Sequence, residues 1–250
     1  MFYFYISIIV ILVILLLFAN SPIGKGKIGE FVVSRQIGKD IPGVKRKVNN
    51  ILFAGDKRSA QIDHVVVNEK GIFVIETKNY GGRIYGSETD SSWTQVLAYG
   101  RKKYKFYNPL KQNYTHVAKL HDKLGAEYQS IPIYSIVVFI GRADITHLRL
   151  TKSVVTTPGK LRKSINKIGS NALLNQNQIE TVTEKLYSIK NSKDINMREH
   201  IKSIKKMQMN IDNNICPRCG GKLVVRCGVH GKFLGCENYP KCNFRKKLNS

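Results

Sequence analysis

The sequence predicts an α/β domain, preceded by one apolar helix and followed by a small cysteine-rich ribbon. Three observations carry this expectation. The first 19 residues contain no charge. Two Val- and Ile-rich segments flank a turn between Gln61 and Lys78, and apolar runs alternate with helix-periodic stretches beyond them. All five cysteines fall within the last 35 residues, too local a clustering for chance.

Met1–Ala19 is a run of Ile, Leu, Val and Phe with Ser7 its one small polar residue. As a helix rising about 1.5 Å per residue it reaches about 28 Å, close to the roughly 30 Å of a bilayer's hydrocarbon. A cleaved signal peptide is the alternative, and Ala19 and Ser21 could mimic a cleavage site. No Lys or Arg precedes the run, however, whereas Lys25, Lys27 and Arg35 follow it. That asymmetry points to an uncleaved single-pass anchor with the C-terminal domains in the cytoplasm. A reducing cytosol also suits thiolate ligands.

Charge narrows the partners. Lys and Arg number 41 against 17 acidic residues, a formal charge of +24. Such an excess attracts DNA or RNA by counterion release and an anionic leaflet by the same Coulombic pull. A solvated Lys-rich surface is the plainer reading. The Lys, Asn and Ile bias points to an AT-rich bacterial genome.

The stretch from Gly24 to about Ile37 reads as a glycine-rich entry into a short helix, with Glu30 in its first turns. Val48 to Phe53 is extended, and Gly55-Asp56 marks a turn. A β-hairpin follows, its arms joined by Asn68-Glu69-Lys70-Gly71. With the turn centred between Glu69 and Lys70, Asp63 faces Glu76 and Gln61 faces Lys78, unless a bulge shifts the register. Side chains alternate along a strand, so Lys78 shares the face of Glu76. Like charges opposite one another in a sheet repel, and a divalent cation relieves them. The oxygen ligands of Asp63 and Glu76 suit Mg2+ or Mn2+. A metal held there and an adjacent amine are the apparatus of phosphodiester hydrolysis. The alternative is an exposed hairpin on which Glu76 and Lys78 form a surface pair.

The run Gln61-Ile62-Asp63-His64, then Gly71-Ile72-Phe73-Val74-Ile75-Glu76-Thr77-Lys78-Asn79-Tyr80-Gly81-Gly82, with Gly26 to Glu30 before it, resembles the nuclease-related domain called NERD. Gly86, Trp93 and Asn108-Pro109-Leu110-Lys111-Gln112 extend the likeness to about 120 residues. That family is similar to the PD-(D/E)XK nucleases, so the resemblance implies a mixed sheet flanked by helices. Carried over by position, it implies Asp63 and Glu76 as metal ligands and Lys78 as catalytic lysine. Glu30 becomes an additional helix-borne acid, and Gln112 a group that orients substrate or water. Ile62 stands where the family's name has proline.

His64 points to the opposite face of a regular strand and reads as structural. His116 and His121 lie on the helix after Pro109 and read as core-edge or surface residues. Arg101, Lys102 and Lys103, continuing to Tyr107, interleave cations with aromatic rings, which suits phosphate contact and base stacking, or a solvated strand edge. Ile131 to Ile140 is a buried strand of the same sheet, and Val154 to Thr157 could add another. Lys160 to Ile168 and Gln176 to Ile189 are short helices, and the polar stretch 191–214 reads as a linker, helical at most in part.

Cys216-Pro217-Arg218-Cys219 turns two sulfurs toward one centre, and Cys236 and Cys242 supply the other two for a tetrahedral Zn2+ site. A segment this short folds largely on metal binding. A disulfide is disfavoured by the inferred compartment. Together with Gly231 to Cys242, it resembles the four-cysteine ribbon of type IA DNA topoisomerases, which leaves Cys227 free. That resemblance implies single-stranded DNA binding, with Phe233, Tyr239 and Phe244 stacking bases and Arg226, Lys232, Arg245 and Lys246 meeting phosphates. Strand passage is not implied, because no topoisomerase catalytic domain fits in the chain.

The expected organisation is a transmembrane anchor at 1–19, a nuclease-like domain at 24–190 with its motif core at about 24–145, a linker at 191–214, and a ribbon at 215–246. The expected function is a membrane-anchored, divalent-metal-dependent nuclease on single-stranded or branched DNA. Two alternatives remain: a catalytically silent tethered DNA-binding protein, and a scaffold on anionic lipid.

Overall fold

The computed structural model describes residues 2–40, 46–53, 60–169, 172–192, 197–228 and 231–248, so the turn expected at Gly55 and Asp56 lies outside the described residues. The chain divides into two compact units, Met1–Ile51 with Gln61–Ser192 and Leu52–Ala60 with Lys193–Ser250. The first holds α1 (Phe2–Asn20), α2 (Pro22–Asp40), β1 (Arg46–Phe53), β2 (Ala60–Asn68), β3 (Gly71–Asn79), β4 (Gly82–Ser87), β5 (Ser92–Leu97) and β6 (Lys102–Tyr107). It continues with α3 (Pro109–Leu124), β7 (Ile133–Ile140), β8 (Ala143–Asp144), β9 (Leu148–Arg149), β10 (Val154–Thr156), α4 (Pro158–Lys167) and α5 (Gln176–Asn191).

The main sheet has the order β1-β2-β3-β7-β10. β2 and β3 are antiparallel, while β3, β7 and β10 run parallel, so the sheet is mixed. The hairpin pairs His64 with Ile75, Val66 with Phe73 and Asn68 with Gly71, the register expected from a turn at Glu69-Lys70. Asn68 Oδ1 accepts from the Lys70 amide at 2.9 Å. Gly71 adopts φ +133°, and a Cβ there would lie 2.5 Å from Pro132 O, so glycine is required on both counts.

Alternation along β3 and β7 feeds two cores. Phe73, Ile75, Ile136 and Val138 meet Val33 and Ile37 of α2 and Leu161 and Ile165 of α4 on one side. Val137 and Phe139 meet Leu110 of α3 and Ile84 and Trp93 of a second sheet on the other. Each such side chain removed from water contributes about 1.5–3 kcal/mol. The second sheet runs β6-β5-β4-β8, with β9 also against β4.

Helix α2 is longer than the short helix expected, and Glu30 sits near its middle instead of in its first turns. Ser21 caps it by accepting from the Gly24 amide at 3.0 Å. The glycines read as an entry loop lie inside α2, and two of them are closely packed: a Cβ on Gly24 would lie 1.9 Å from Phe18 O and one on Gly29 2.0 Å from Ile140 Cδ1. The expected single span meets a different result. Among the described residues no single helix is long and apolar enough to cross a membrane, and Phe4–Ala19 with Gly24–Ile37 meets the test only as a pair bent by 81°. Val33 and Ile37 of that second half are buried in the domain core.

Helix α3 is fixed at both its start and its middle. Asn108 caps it, accepting from the Leu110 amide at 2.9 Å, while its Nδ2 donates to the carbonyls of Ser87, Glu88 and Asp90. Asn113, fully buried, donates from Nδ2 to Val74 O at 3.0 Å, Ile136 O at 3.2 Å and Ser135 Oγ at 2.8 Å.

In the second unit the stretch expected as a linker contains α6 (Met197–Asp212), followed by β11 (Leu223–Gly228), β12 (Gly231–Cys236) and β13 (Arg245–Lys247) in one antiparallel sheet. Ile211 and Met207, four apart on α6, lie against Cys216, Leu223, Cys236 and Cys242. The Lys- and Asn-rich composition hides that apolar stripe.

Glu88 ties the β4–β5 turn to the chain before β10. Its carboxylate accepts from the Thr151, Lys152 and Ser153 amides and from Thr151 Oγ1 at 2.6–3.0 Å. The Thr151 hydroxyl first, then the Ser153 and Lys152 amides, hold its pKa down to about 2. A depressed carboxylate stabilises the fold above its unfolded pKa, about 4.3, and loses that contribution as pH falls through the folded value. Glu88→Gln should therefore melt below the parent at neutral pH, with the gap closing as pH falls from about 4.5 towards 2. Thermal melts of both proteins across that range check this.

Candidate active site and cysteine centre

Glu76 ends the buried part of β3, with its side chain 3% exposed. The strand's face puts it under α3, and three side chains reach it. Lys78 Nζ lies 2.5 Å from Glu76 Oε1, Gln112 Nε2 donates to the same oxygen at 2.8 Å, and Lys78 Nζ donates to Gln112 Oε1 at 2.9 Å. His116 Nδ1 faces Glu76 Oε2 at 3.3 Å without forming a hydrogen bond, so both atoms are buried and lack hydrogen-bond partners among the described residues.

Across the strand pair, Asp63 Oδ2 accepts from the Thr77 amide at 2.8 Å, which places it beside Glu76. Burial first, then the charge of Glu76, raises the Asp63 carboxyl to about 8. Glu30 is also raised, chiefly by burial, with Lys27 opposing and Glu76 adding. Burial alone would raise Glu76 as well, but His116 and Lys78 outweigh it and hold that carboxyl below its usual range. Three acids thus share one low-dielectric neighbourhood in which one is held ionised.

Of the expected catalytic set, Glu76, Lys78 and Gln112 are in direct contact, Asp63 adjoins them through Thr77, and Glu30 acts on them through its field. His116, read from sequence as a core-edge residue, joins the cluster instead. Its signal was available, since it lies four residues after Gln112 and a helix stacks i and i+4 on one face. His64 is buried, with Nδ1 2.9 Å from Asn49 Oδ1, and burial lowers its pKa to about 4. Lys102 and Lys103 lie exposed on β6, which among the described residues pairs only with β5, and Arg101 precedes them in the turn.

The residues fit a divalent ion in donor chemistry, since the cluster holds several carboxylates and, among the described residues, Glu76 Oε2 faces only His116 at 3.3 Å and accepts no hydrogen bond. Among the described residues, the cysteines are nevertheless the one group of three or more potential ligands whose atoms converge within 4.8 Å.

In that group Cys216 Sγ lies 3.7 Å from Cys242 Sγ, and Cys219 Sγ 3.3 Å from Cys236 Sγ. Zn–S bonds of about 2.3 Å in a tetrahedron separate sulfurs by about 3.8 Å, so the four fit zinc. Burial pushes the Cys236 thiol up to about 12, and zinc binding favours the thiolate form of such a ligand. The Gly221 amide, followed by Cys236, draws Cys219 down to about 6. Cys227 is exposed on β11 opposite Lys232 of β12, outside the centre. Beside it a concavity of about 720 Å³ is lined by Arg226, Phe233, Tyr239, Phe244 and Arg245, while Lys232 is exposed.

Comparison with known proteins separates the same two parts. Residues 25–140 match the nuclease-related domain family, and residues 213–250 match the topoisomerase DNA binding C4 zinc finger. An uncharacterized protein of Bacillus anthracis is 39% identical over 132 residues, 52% of this chain and 60% of that protein. DNA topoisomerase 1 of Methanocaldococcus jannaschii is 44% identical over 46 residues, 18% of this chain and 6% of its own. The uncharacterized protein YrdD of Escherichia coli is 51% identical over 39 residues, 16% of this chain and 22% of its own. The chain therefore spans less than two thirds of each of these relatives. The buried Glu76 cluster lies inside the first match and the four sulfurs inside the second: the chain carries a nuclease-related domain followed by a topoisomerase-type four-cysteine zinc ribbon.

Proposed function

We propose that this protein is a membrane-anchored, metal-dependent nuclease that acts on DNA, with the ribbon holding single-stranded or branched substrate. The observation that carries this reading is the convergence of Lys78, Gln112 and His116 on the buried Glu76, with Asp63 on the adjoining strand.

Asp63 and Glu76 would hold Mg2+ or Mn2+, with Glu30 nearby. Such an ion supplies Lewis-acid polarisation of a phosphodiester and acidifies bound water. Lys78, 18% exposed, reaches solvent, so its ammonium can meet the charge that develops on a scissile phosphate. Gln112 bridges Lys78 and Glu76 and holds both in line. His116 faces the other Glu76 oxygen and keeps the carboxylate plane from rotating away.

A second reading, a silent tethered DNA-binding protein, draws support from Glu76 Oε1 being already bonded to Lys78 and Gln112. The anchor rests on α1, whose side chains from Phe4 to Phe18 are 40–68% exposed where they are Ile, Leu, Val, Phe or Tyr. At about 28 Å such a helix falls slightly short of the hydrocarbon thickness, a mismatch that local thinning accommodates. DNA binding by the ribbon rests on its family, on Arg226, Phe233 and Tyr239 at its concave side, and on the exposed Lys232.

Cleavage of single-stranded DNA, duplex DNA and RNA with magnesium or manganese tests the enzyme reading. Glu76→Ala and Lys78→Ala should each lower metal-dependent cutting by about a hundredfold or more, and His116→Ala by about tenfold. Residual cutting identical in parent and variants would mark contamination and favour the silent binder. Removing zinc with a chelator should abolish the ribbon's share of DNA binding and melt that unit, read by the loss of its proteolytic resistance. Deleting residues 1–19 should move the protein from the membrane to the soluble fraction, and identical fractionation would end the anchor reading.

A further inference from the structure

The second sheet of the first unit has a face that the proposed chemistry does not use. In register, Arg83 of β4, Val96 of β5 and Lys103 of β6 form one cross-strand row, and Tyr85, Thr94 and Lys105 form the next. Tyr107 follows Lys105 by two residues and so points the same way. The opposite face carries Ile84, Trp93 and Phe106, which lie in or against the core, so the first set faces outward.

The composition of that outer face is selective. Tyr85 is 37% and Tyr107 56% exposed, while Arg83, Lys103 and Lys105 are exposed around them. Neither Asp nor Glu occurs in β4, β5 or β6. The acids that flank the sheet are already engaged: Glu88 by the 151–153 backbone, Asp90 by the Ser87 amide, and Asp144 of β8, beside Arg83, by Thr146. Tyr85 stacks on His147 at 4.6 Å with 14° between the rings, which fixes its ring and leaves the other ring face for a partner.

From this arrangement we infer that the outer face of β4–β5–β6 is a stacking platform for single-stranded nucleic acid. Tyr85 and Tyr107 would take bases, and Lys103 and Lys105 the phosphates. Residues two apart on a strand are separated by about 6.8 Å, which is of the order of the phosphate spacing in an extended single strand. Lysines along β6, an open edge, also discourage pairing with another protein strand, which favours a polyanion over a peptide. The face reads bases by their flat surfaces, so it takes single strands with little sequence preference and gives a duplex no aromatic contact.

The inference rests on reading the domain as one that handles nucleic acid, so binding and cutting are measured apart. The full-length protein, in detergent and without magnesium or manganese, is titrated with a short labelled oligothymidylate. Changing both Tyr85 and Tyr107 to Ala should weaken binding about tenfold or more, whereas changing both to Phe should leave it within about twofold. Lys103→Ala with Lys105→Ala should lower the slope of log affinity against log salt by about 1.4. In the unmutated protein, photocrosslinked thiothymidine should map to the peptides holding Tyr85 and Tyr107, a result that does not depend on any variant folding. Binding equal in the Ala and Phe pairs, or crosslinks absent from both peptides, overturns the platform. Anionic vesicles that displace the oligomer from the lysines while the tyrosine changes have no effect overturn it as well. If cutting meanwhile still depends on Glu76, the platform fails alone and the nuclease reading stands.

Discussion

Strand β3 is buried on both faces and hydrogen-bonded on both edges, antiparallel to β2 and parallel to β7. A strand held this way cannot slip by one residue without turning every apolar side chain to the wrong side. Its register therefore dictates where Glu76 and Lys78 emerge, on the face that meets α3. The helix is fixed to the same strand by Asn113, whose amide donates to carbonyls of both β3 and β7. Gln112 and His116, on either side of that anchor along α3, are delivered to Glu76 by this one attachment. Loss of the Asn113 amide would remove the three bonds that tie the middle of α3 to β3 and β7.

The electrostatics of the site follow from that rigidity. A chain with 41 basic residues has concentrated several of its 17 acids in one buried neighbourhood, an expense that structural needs alone do not explain. Asp63 and Glu30 are raised by burial, while Glu76 is held ionised by His116 and Lys78.

The ribbon depends on a different constraint. Its apolar centre is small: Ile211, Leu223 and three cysteines are buried, helped by Met207, Leu234 and Phe244. A core of that size does not support a fold alone, so the sulfurs contribute more as ligands than as apolar groups. Helix α6 adds to this centre by placing Met207 and Ile211 against it. The segment expected as a spacer is thus a structural part of the second unit.

Local patterns by themselves determined the hairpin with its register from His64 to Ile75, and the four sulfurs, because strand alternation and Cys-x-x-Cys spacing are rules between near neighbours. They also determined the strand at Ile133–Ile140 and the cap at Asn108. The i, i+4 spacing of Gln112 and His116 placed both on one helix face, but only tertiary structure decided that this face meets Glu76, since an imidazole on an apolar helix stripe looks the same whether it faces a methyl group or a carboxylate. Tertiary structure also decided that Gly24 and Gly29 lie inside a helix, where each is closely packed. The run through Lys103, Lys105 and Tyr107 was legible in the sequence, but its joining to Arg83 and Tyr85 was not. Those residues lie up to 24 positions apart in the chain, and only the pairing of three strands sets them side by side.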